Sequence, residues 1–579
     1  MVAPDLFEET TTTPPGSLMS EFDDPMAEPG EPVEPAGGTG PTEPTGPKGG
    51  LTRAVGSMAA GTTLSRASGV LRILVLAYVL GISPLADAYN LANTIPNMLY
   101  DVVLGGVLGA TFIPVFIERL ATRTEREAWR SISAVVTLAV VTLAGATVIF
   151  FIAAPWLIDA FTAFDHVHLA NDPHQLAQQR AVATTLLRWF VPQIFFYGLL
   201  SIGGALLNVR HRFGAPMWVP IANNIVCIAV LLLFAIVTPP ASTNPATSLA
   251  AVSMSPWQMA LLGGGTTLGV IIQFGLLTPS LARAGLGRLR WHFNFRDEAV
   301  KSIVRLGSWT FGFVVMNQIA LFVVIALAFS VGGSGPVSSY TYAYAFMQMP
   351  YAVVAVSVMS AVAPDLARHH TTKDVTAFIA RFGAGLRSVL AIIIPASIGM
   401  FILARPAVAL LLGHGNADRA QTYQTGTALA ELSLGLVGFT CFQYVIRAMQ
   451  SMRRAKTAFW LYVLENGATV ILAVVLVGPL GLAGIALSVS VAYTIAGVVG
   501  LAVLERWLGR LGPPGCFKPL TRVLISSVVM GVVVLVVSNL SASQSGVALV
   551  LRVGGSILLG SLAYLGTASL LGERAARSR

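Results

Sequence analysis

The sequence predicts an all-α polytopic membrane protein with about fourteen transmembrane helices, and three observations carry that prediction. Charged residues make up 11% of the 579 positions, against about 25% in a soluble globular protein, too few to cover a soluble body of 60.9 kDa. Mean hydropathy is +0.73, and many apolar runs exceed the roughly 20 residues that cross a bilayer. Runs such as 132–154 are continuously apolar, without the polar–apolar alternation of a transmembrane β-barrel. A soluble multidomain enzyme is excluded on the same grounds.

Residues 1–50 hold ten acids and one base, Lys48, so this segment carries −9 while the whole chain carries +9. Rich in Pro, Gly, Thr and Glu, it reads as a disordered acidic cytoplasmic tail, with no basic and then apolar stretch of a signal peptide. Spans are expected at 54–80, 86–117, 131–158, 180–209, 217–237, 257–282 and 300–331. The remainder fall at 336–366, 378–404, 422–450, 457–477, 480–504, 521–539 and 547–571. Prolines inside them, Pro96, Pro350 and Pro395 among others, free a carbonyl and permit a kink. Basic residues crowd alternate loops: Arg119 to Arg130, Arg283 to Lys301, Arg368 to Arg381, Arg453 to Lys456. The opposite loops carry only Arg405 and Arg419. By the positive-inside rule both termini are cytoplasmic, and the basic charge belongs to loops rather than to nucleic-acid binding.

A weak internal repeat links the second span, Tyr89 to Pro96 and then Pro114, with the eighth, Tyr342 to Pro350 and then Pro364. It fits two six-helix lobes followed by two extra helices. The expected organisation is an N-lobe over 51–285 (spans 1–6), a C-lobe over 286–508 (spans 7–12), and 509–579 holding the last two spans and a short cytoplasmic C-terminus.

Ionisable groups inside spans are costly and mark functional sites. Arg66 and Arg72 stand six residues apart, about 120° around a helix and about 9 Å along it, so they flank a site rather than stack. Arginine suits bidentate phosphate binding, so two such groups facing a cavity fit an anionic phosphate-bearing substrate. Arg66 near the interface could instead snorkel. On the second span, Asp87 lies near the external end, where a helix N-terminal charge is the plainer reading; Asp101 lies deeper and could pair with a first-span arginine. Glu465 and Asn466, near the middle of the eleventh span, offer oxygen ligands for a cation or a proton, with Asn317 on the seventh; a structural ion pair is the other reading. There is no GxxxxGK[ST], HExxH or GxSxG, so neither a P-loop ATPase nor the usual hydrolase motifs are present. Cys227, Cys441 and Cys516 form no close pair, and no metal site or cofactor is expected.

The stretch Ser65-Arg66-Ala-Ser-Gly69-Val-Leu-Arg72, then Gly81, Asp87-Ala88-Tyr89, Ile95-Pro96-Asn97-Met98-Leu99 and Gly106 through Phe112-Ile-Pro114, resembles the MurJ (MviN) family of proposed lipid II flippases, actinobacterial type. Met349-Pro350, Val356-Ser357, Pro364 and Lys456-Thr457 continue the resemblance. It implies the fold of the multidrug/oligosaccharidyl-lipid/polysaccharide (MOP) exporters: two six-helix lobes in a V around a cationic cavity, with two C-terminal helices lining a groove for the lipid tail. It implies alternating access in the bacterial plasma membrane and no enzymatic reaction. Arg66 and Arg72 fall on the family's first-helix arginines, Asp87 on its motif aspartate and Asn97 in its Pro-Asn motif. The chain departs from the pattern at Ile73, at Tyr100, Asp101 and Gly105, and at Ala345 and Phe346, which leaves the cavity less cationic; Arg447 could compensate. The implied substrate-binding set is Arg66, Arg72, Asp87, Asn97, Asp101 and Arg447.

The resulting expectation is a flippase moving lipid II to the outer leaflet, driven by membrane potential or by a coupled cation (Na⁺ or H⁺). Membrane lipids and cell-wall synthesis or divisome proteins are its expected partners. The alternatives are a flippase for another polyprenyl-linked oligosaccharide, a MOP-type exporter, a membrane glycosyltransferase or ligase, and a divisome scaffold. A cationic-drug antiporter would want an acidic cavity, and a ligase would want a sizeable external catalytic loop.

Overall fold

The computed structural model describes residues 48–102, 113–165, 173–210, 212, 214–238, 255–284, 290–294, 298–415, 418–509, 518–540 and 546–577. The acidic segment therefore lies outside the described residues except for Lys48–Gly50, which begin a helix. The chain from Val55 onward is a single unit.

Its helices are α1 (Lys48–Leu80), α2 (Pro84–Tyr100), α3 (Ile113–Thr122), α4 (Glu125–Phe161), α5 (Pro173–Phe190), α6 (Pro192–Val209), α7 (Gly214–Val237), α8 (Pro256–Arg283) and α9 (Glu298–Ser330). They continue with α10 (Pro336–Pro350), α11 (Val356–Thr371), α12 (Val375–Leu412), α13 (Arg419–Leu434), α14 (Leu436–Ser451), α15 (Ala455–Leu508), α16 (Lys518–Asn539) and α17 (Gly546–Arg577). Helix starts follow local chemistry. Ser83 Oγ accepts from the Ala86 N–H at 3.2 Å ahead of Pro84, and Asp374 accepts from the Ala377 N–H at 2.9 Å.

Eleven helical stretches are long and apolar enough to cross a membrane, and α13 with α14, bent by 49° at Gly435, makes a twelfth. Helix α15 counts twice. Its 54 residues would run about 80 Å if straight, yet Arg454 just before it lies 5.2 Å from the Trp507 ring at its far end. The chain folds back at Gly481, where φ 58 and ψ −135 lie outside the range of residues with a side chain. Helices α2 and α3 fall within the expected second span, whose residues 103–112 lie outside the described ones. The expected break between 477 and 480 thus falls next to the observed one; the fourth span is interrupted at Val191–Pro192, beside one of its expected proline kinks, and the tenth at Gly435, where no break was expected.

Helices α2 and α4 to α8 pack among themselves, as do α9 to α15, while α16 and α17 pack on each other and on α12. The two groups meet where α2 crosses α10 and where α9 runs beside α3 and α4. Large apolar side chains point outward over much of the surface, Ile236 (80% exposed), Leu551 (68%) and Ile149 (62%) among them. Such a surface is stable only against lipid.

Both halves of the repeat carry a π-helical turn behind the first proline. Tyr351–Ala355 follows Pro350, and Asp101 and Val102 take the same form beyond Pro96. A π-turn leaves backbone groups out of the regular ladder and is common where a membrane helix serves a site.

Candidate substrate cavity and buried carboxyl site

Helix α1 reaches the site on few contacts, chiefly polar ones from α7. Asn224 Nδ2 donates to Ser68 Oγ at 2.9 Å and to the Ser65 carbonyl at 3.3 Å, fixing the turn that carries Arg66.

Arg72, half-buried, has the Tyr89 (α2), Tyr197 (α6) and Cys227 (α7) side chains as its electrostatic neighbours. Tyr89 is itself held by Thr266, oxygen to oxygen at 3.0 Å. Among the described residues no carboxylate forms an ion pair with Arg66 or Arg72. A guanidinium stays ionised at any physiological pH, so an unpaired one facing a cavity is an anion site awaiting its ligand. Arg66 and Arg447, from α1 and α14, both act electrostatically on the Tyr351 hydroxyl in the π-turn. One cation from each half therefore lies within electrostatic reach of one residue. Arg447 is exposed and donates to Gln450 Oε1 at 3.5 Å, so its guanidinium remains available to a ligand.

One expectation is corrected and a second is extended. Asp101 does not pair with a first-span arginine; its Oδ2 accepts from Gln318 Nε2 on α9 at 3.2 Å. An amide answers the carboxylate without neutralising it, and the arginines stay free. Asp87, read as a charge for its own helix N-terminus, is committed to a second helix as well. It is 1% exposed, and its carboxylate accepts from the Ser338 N–H at 2.7 Å and the Val337 N–H at 3.4 Å. It thereby caps the N-terminus of α10 from across the molecule, where orphan N–H groups and the helix dipole favour an anion. Asn90 adds a bond to Ser338 Oγ at 2.9 Å. Close approach here depends on Gly335, whose φ of 78 suits glycine and whose missing side chain leaves space for the Ile82 backbone. Asn97 is exposed and donates to the Asn93 carbonyl at 2.8 Å within its own helix.

The opposite side, where the basic loops lie, is tied differently. Glu298 at the start of α9 meets Arg119 and Arg123, each at 3.3 Å, with its own side chain 72% exposed. Arg123 is 49% exposed and its pair contributes at most about 1 kcal/mol, whereas the Arg119 side chain is only 9% exposed. The two halves are thus joined by fully buried bonds on one side and by ion pairs to a solvated carboxylate on the other.

Glu465 is 3% exposed on α15. Its Oε1 accepts from Thr469 Oγ1 at 3.2 Å, and its Oε2 has no partner. Four tyrosines feel its charge: Tyr340 and Tyr344 on α10, and Tyr462 and Tyr493 on α15. Among the described residues no cation pairs with it. Asn466, 2% exposed, donates to the Tyr462 carbonyl at 2.8 Å. Phe313 stacks on Tyr462 with ring centroids 4.8 Å apart. One turn further along each helix stand half-buried Asn317 and buried Asn466. The sequence reading missed the tyrosines, although Tyr340 and Tyr344 at i, i+4 share one face of an apolar helix, which is a polar signal.

A profile of the lipid II flippase MurJ family matches residues 76–554, most of the chain. The chain belongs to the MurJ family. That family is one of transporters rather than enzymes. The chain is 27% identical to the lipid II flippase MurJ of Burkholderia cenocepacia over 448 residues, 76% of this chain and 81% of that one. It is 27% identical to a probable lipid II flippase MurJ of Haemophilus influenzae over 407 residues, 68% and 75% of the two chains. Among solved structures, a lipid II flippase MurJ in an inward closed conformation superposes with a TM-score of 0.72 at 21% identity, covering 90% of this chain and 99% of that one. An inward-facing multidrug MATE transporter of the MOP superfamily follows at 0.62 and 16% identity, covering 77% and 95%. These place the MurJ-family chain in the MOP exporter fold.

Proposed function

We propose that this protein moves lipid II, the undecaprenyl-diphosphate-linked disaccharide-peptide, from the cytoplasmic to the outer leaflet of the bacterial plasma membrane by alternating access. The observation that carries the reading is that Arg66 and Arg72 on α1 and Arg447 on α14, contributed by both halves, have no carboxylate partner among the described residues. A diphosphate offers the paired negative charges that such cations lack, while the prenyl tail stays in lipid beside α16 and α17. The basic loops face the cytoplasm with both termini, and the units that move are the lobes 51–285 and 286–508. For the outer side to open, the bonds from Asp87 and Asn90 to α10 must break. The relatives' names support the substrate, since those matched are lipid II flippases.

Coupling is assigned to Glu465 with Asn466 and Asn317. An unpaired buried carboxyl can be answered only by a proton or a bound cation (H⁺ or Na⁺), and membrane potential adds about 2.3 kcal/mol per charge per 100 mV. Cell-wall synthesis or divisome proteins are the expected partners. The test is depletion of the protein in cells, followed by assignment of lipid II to each leaflet. Lipid II should build up in the cytoplasmic leaflet; unchanged access from outside would overturn the reading.

A further inference from the structure

Away from the central site, on the side of the basic loops, lies a cavity of about 740 Å³. One wall is the first turns of α4, with Arg126, Trp129, Arg130 and Ser133; the other is the extended segment after α8, with Arg290 and His292. The segment is pinned to α4 through its backbone: the Arg290 N–H donates to Ser133 Oγ at 3.3 Å and the His292 N–H to Thr137 Oγ1 at 3.1 Å. Arg130 Nε donates to His292 Nε2 at 3.4 Å, which closes the gap between the walls. Arg210 lies 5.4 Å over the Trp129 ring and holds it in place.

Three guanidinium groups thus share one concavity with a single carboxylate, Glu125, at its edge. Among the described residues none of the three forms an ion pair. Basic loops on one side of a membrane are ordinary, but loop charge set by topology alone repels itself and spreads out. Here it is gathered between walls held by three hydrogen bonds. Beside the cavity, Trp291 and Phe293 are 71% and 65% exposed, with their rings stacked at 6.5 Å. Exposed aromatic pairs belong at the level of lipid headgroups, where one face is apolar and the other wet. A pocket for a soluble anion has no use for them.

We propose that this cavity binds the phosphate headgroup of an anionic phospholipid of the adjacent leaflet, with Arg126, Arg130 and Arg290 on the phosphate and Trp291 and Phe293 against the upper acyl chains. The assignment is independent of the substrate reading, because none of these residues reaches Arg66, Arg72 or Arg447. The site would anchor the segment joining α8 to α9, and with it the connection between the two groups of helices.

The test uses the purified full-length chain in detergent, with native mass spectrometry as readout. Dioleoylphosphatidylglycerol should be retained about tenfold better than dioleoylphosphatidylcholine, since clustered basic side chains favour a headgroup of net negative charge. The triple variant R126Q/R130Q/R290Q should lose that preference. A control triple, R368Q/K373Q/R506Q, removes the same charge from exposed positions elsewhere on the basic side and should keep it. W291A/F293A alters only exposed side chains, so it should fold normally, and should weaken phosphatidylglycerol retention several-fold. Equal retention of the two lipids by the natural chain would overturn the proposal, as would a preference that survives R126Q/R130Q/R290Q. Full displacement of the lipid by millimolar glycerol 3-phosphate, with W291A/F293A without effect, would make the cavity a soluble-phosphate site and overturn the lipid assignment.

Discussion

Arg72 on α1 and Glu465 on α15 occupy opposite halves of the chain, and both are set among tyrosines rather than beside a counter-charge. They differ in access and in chemistry. Arg72 is half-buried and cannot give up its charge, so only an incoming anion can answer it. Glu465 is sealed at 3% exposure, with one oxygen unpartnered, and a carboxyl can be answered by a proton. On the proposed reading, one half holds a substrate anion and the other registers a small cation. A phenol ring suits both tasks, because its hydroxyl donates to an anion and accepts from a cation.

The largest expected effect breaks the arginine side of this comparison. Arg72→Ala should lower flipping by about a hundredfold or more, since removing one partner of a buried charge pair costs about 2–5 kcal/mol. Expression and folding should be unaffected. Arg72→Lys should recover little of the loss, because an ammonium cannot form the bidentate pair. Complementation by Arg72→Ala at normal levels would remove Arg72 from the mechanism. The carboxyl side comes next. Glu465→Gln keeps the shape and the bond to Thr469 but cannot exchange a proton. If one coupled charge is lost, the steady-state leaflet ratio should fall by up to about 50-fold at 100 mV. The response of flipping to an imposed pH or Na⁺ gradient should vanish as well. A Glu465→Gln protein with an unchanged gradient response would leave the potential alone as driver.

Much of this was legible in the sequence, and what was not has a physical reason. The span pattern was readable because lipid demands long apolar runs, and the Gly481 reversal lay next to the break that hydropathy indicated. Arg66 and Arg72 were readable because a charge inside a span is costly and therefore conspicuous. Partners were harder. Asp101 looked like the natural mate of an arginine, yet Gln318, 217 residues away, takes it. Asp87 looked like a first-turn charge for its own helix, yet it caps α10, 251 residues away. The tyrosine surroundings of Arg72 and Glu465 come from several helices, and aromatic residues in a membrane span read as lipid-facing filler until the helices are packed. Periodicity within one helix carries no record of which neighbour it will meet.

Asp87 offers a smaller, sharper test, because it joins the two halves directly. Asp87→Asn keeps the side-chain volume but leaves one neutral acceptor for two N–H donors, so the bond from Ser338 loses its charge and the bond from Val337 is lost, a cost of about 1 kcal/mol. That should shift the balance toward separation of α2 from α10 by roughly fivefold to tenfold. Distance measurements between spin labels at the ends of these helices should show a wider population, while an unchanged distribution would mean that Asn90 and the Gly335 contact hold this side closed alone.

The smallest expected effect concerns stability, not transport. At Gly481 the backbone has φ 58 and ψ −135, and a Cβ built there would meet nothing closer than Val331 Cγ1 at 3.5 Å. Space is therefore no obstacle to Gly481→Ala, and the whole cost is conformational, about 1–3 kcal/mol. The two spans of α15 carry Glu465 before the reversal and Tyr493 after it, so relaxing the turn would also shift Tyr493 relative to the carboxyl. Gly481→Ala should lower the thermal midpoint with Arg72-dependent substrate binding unchanged, and should weaken only the response to an imposed gradient. If the substitution instead impaired substrate binding and gradient response equally, the two halves would not be separable, and the division of labour between Arg72 and Glu465 would fail.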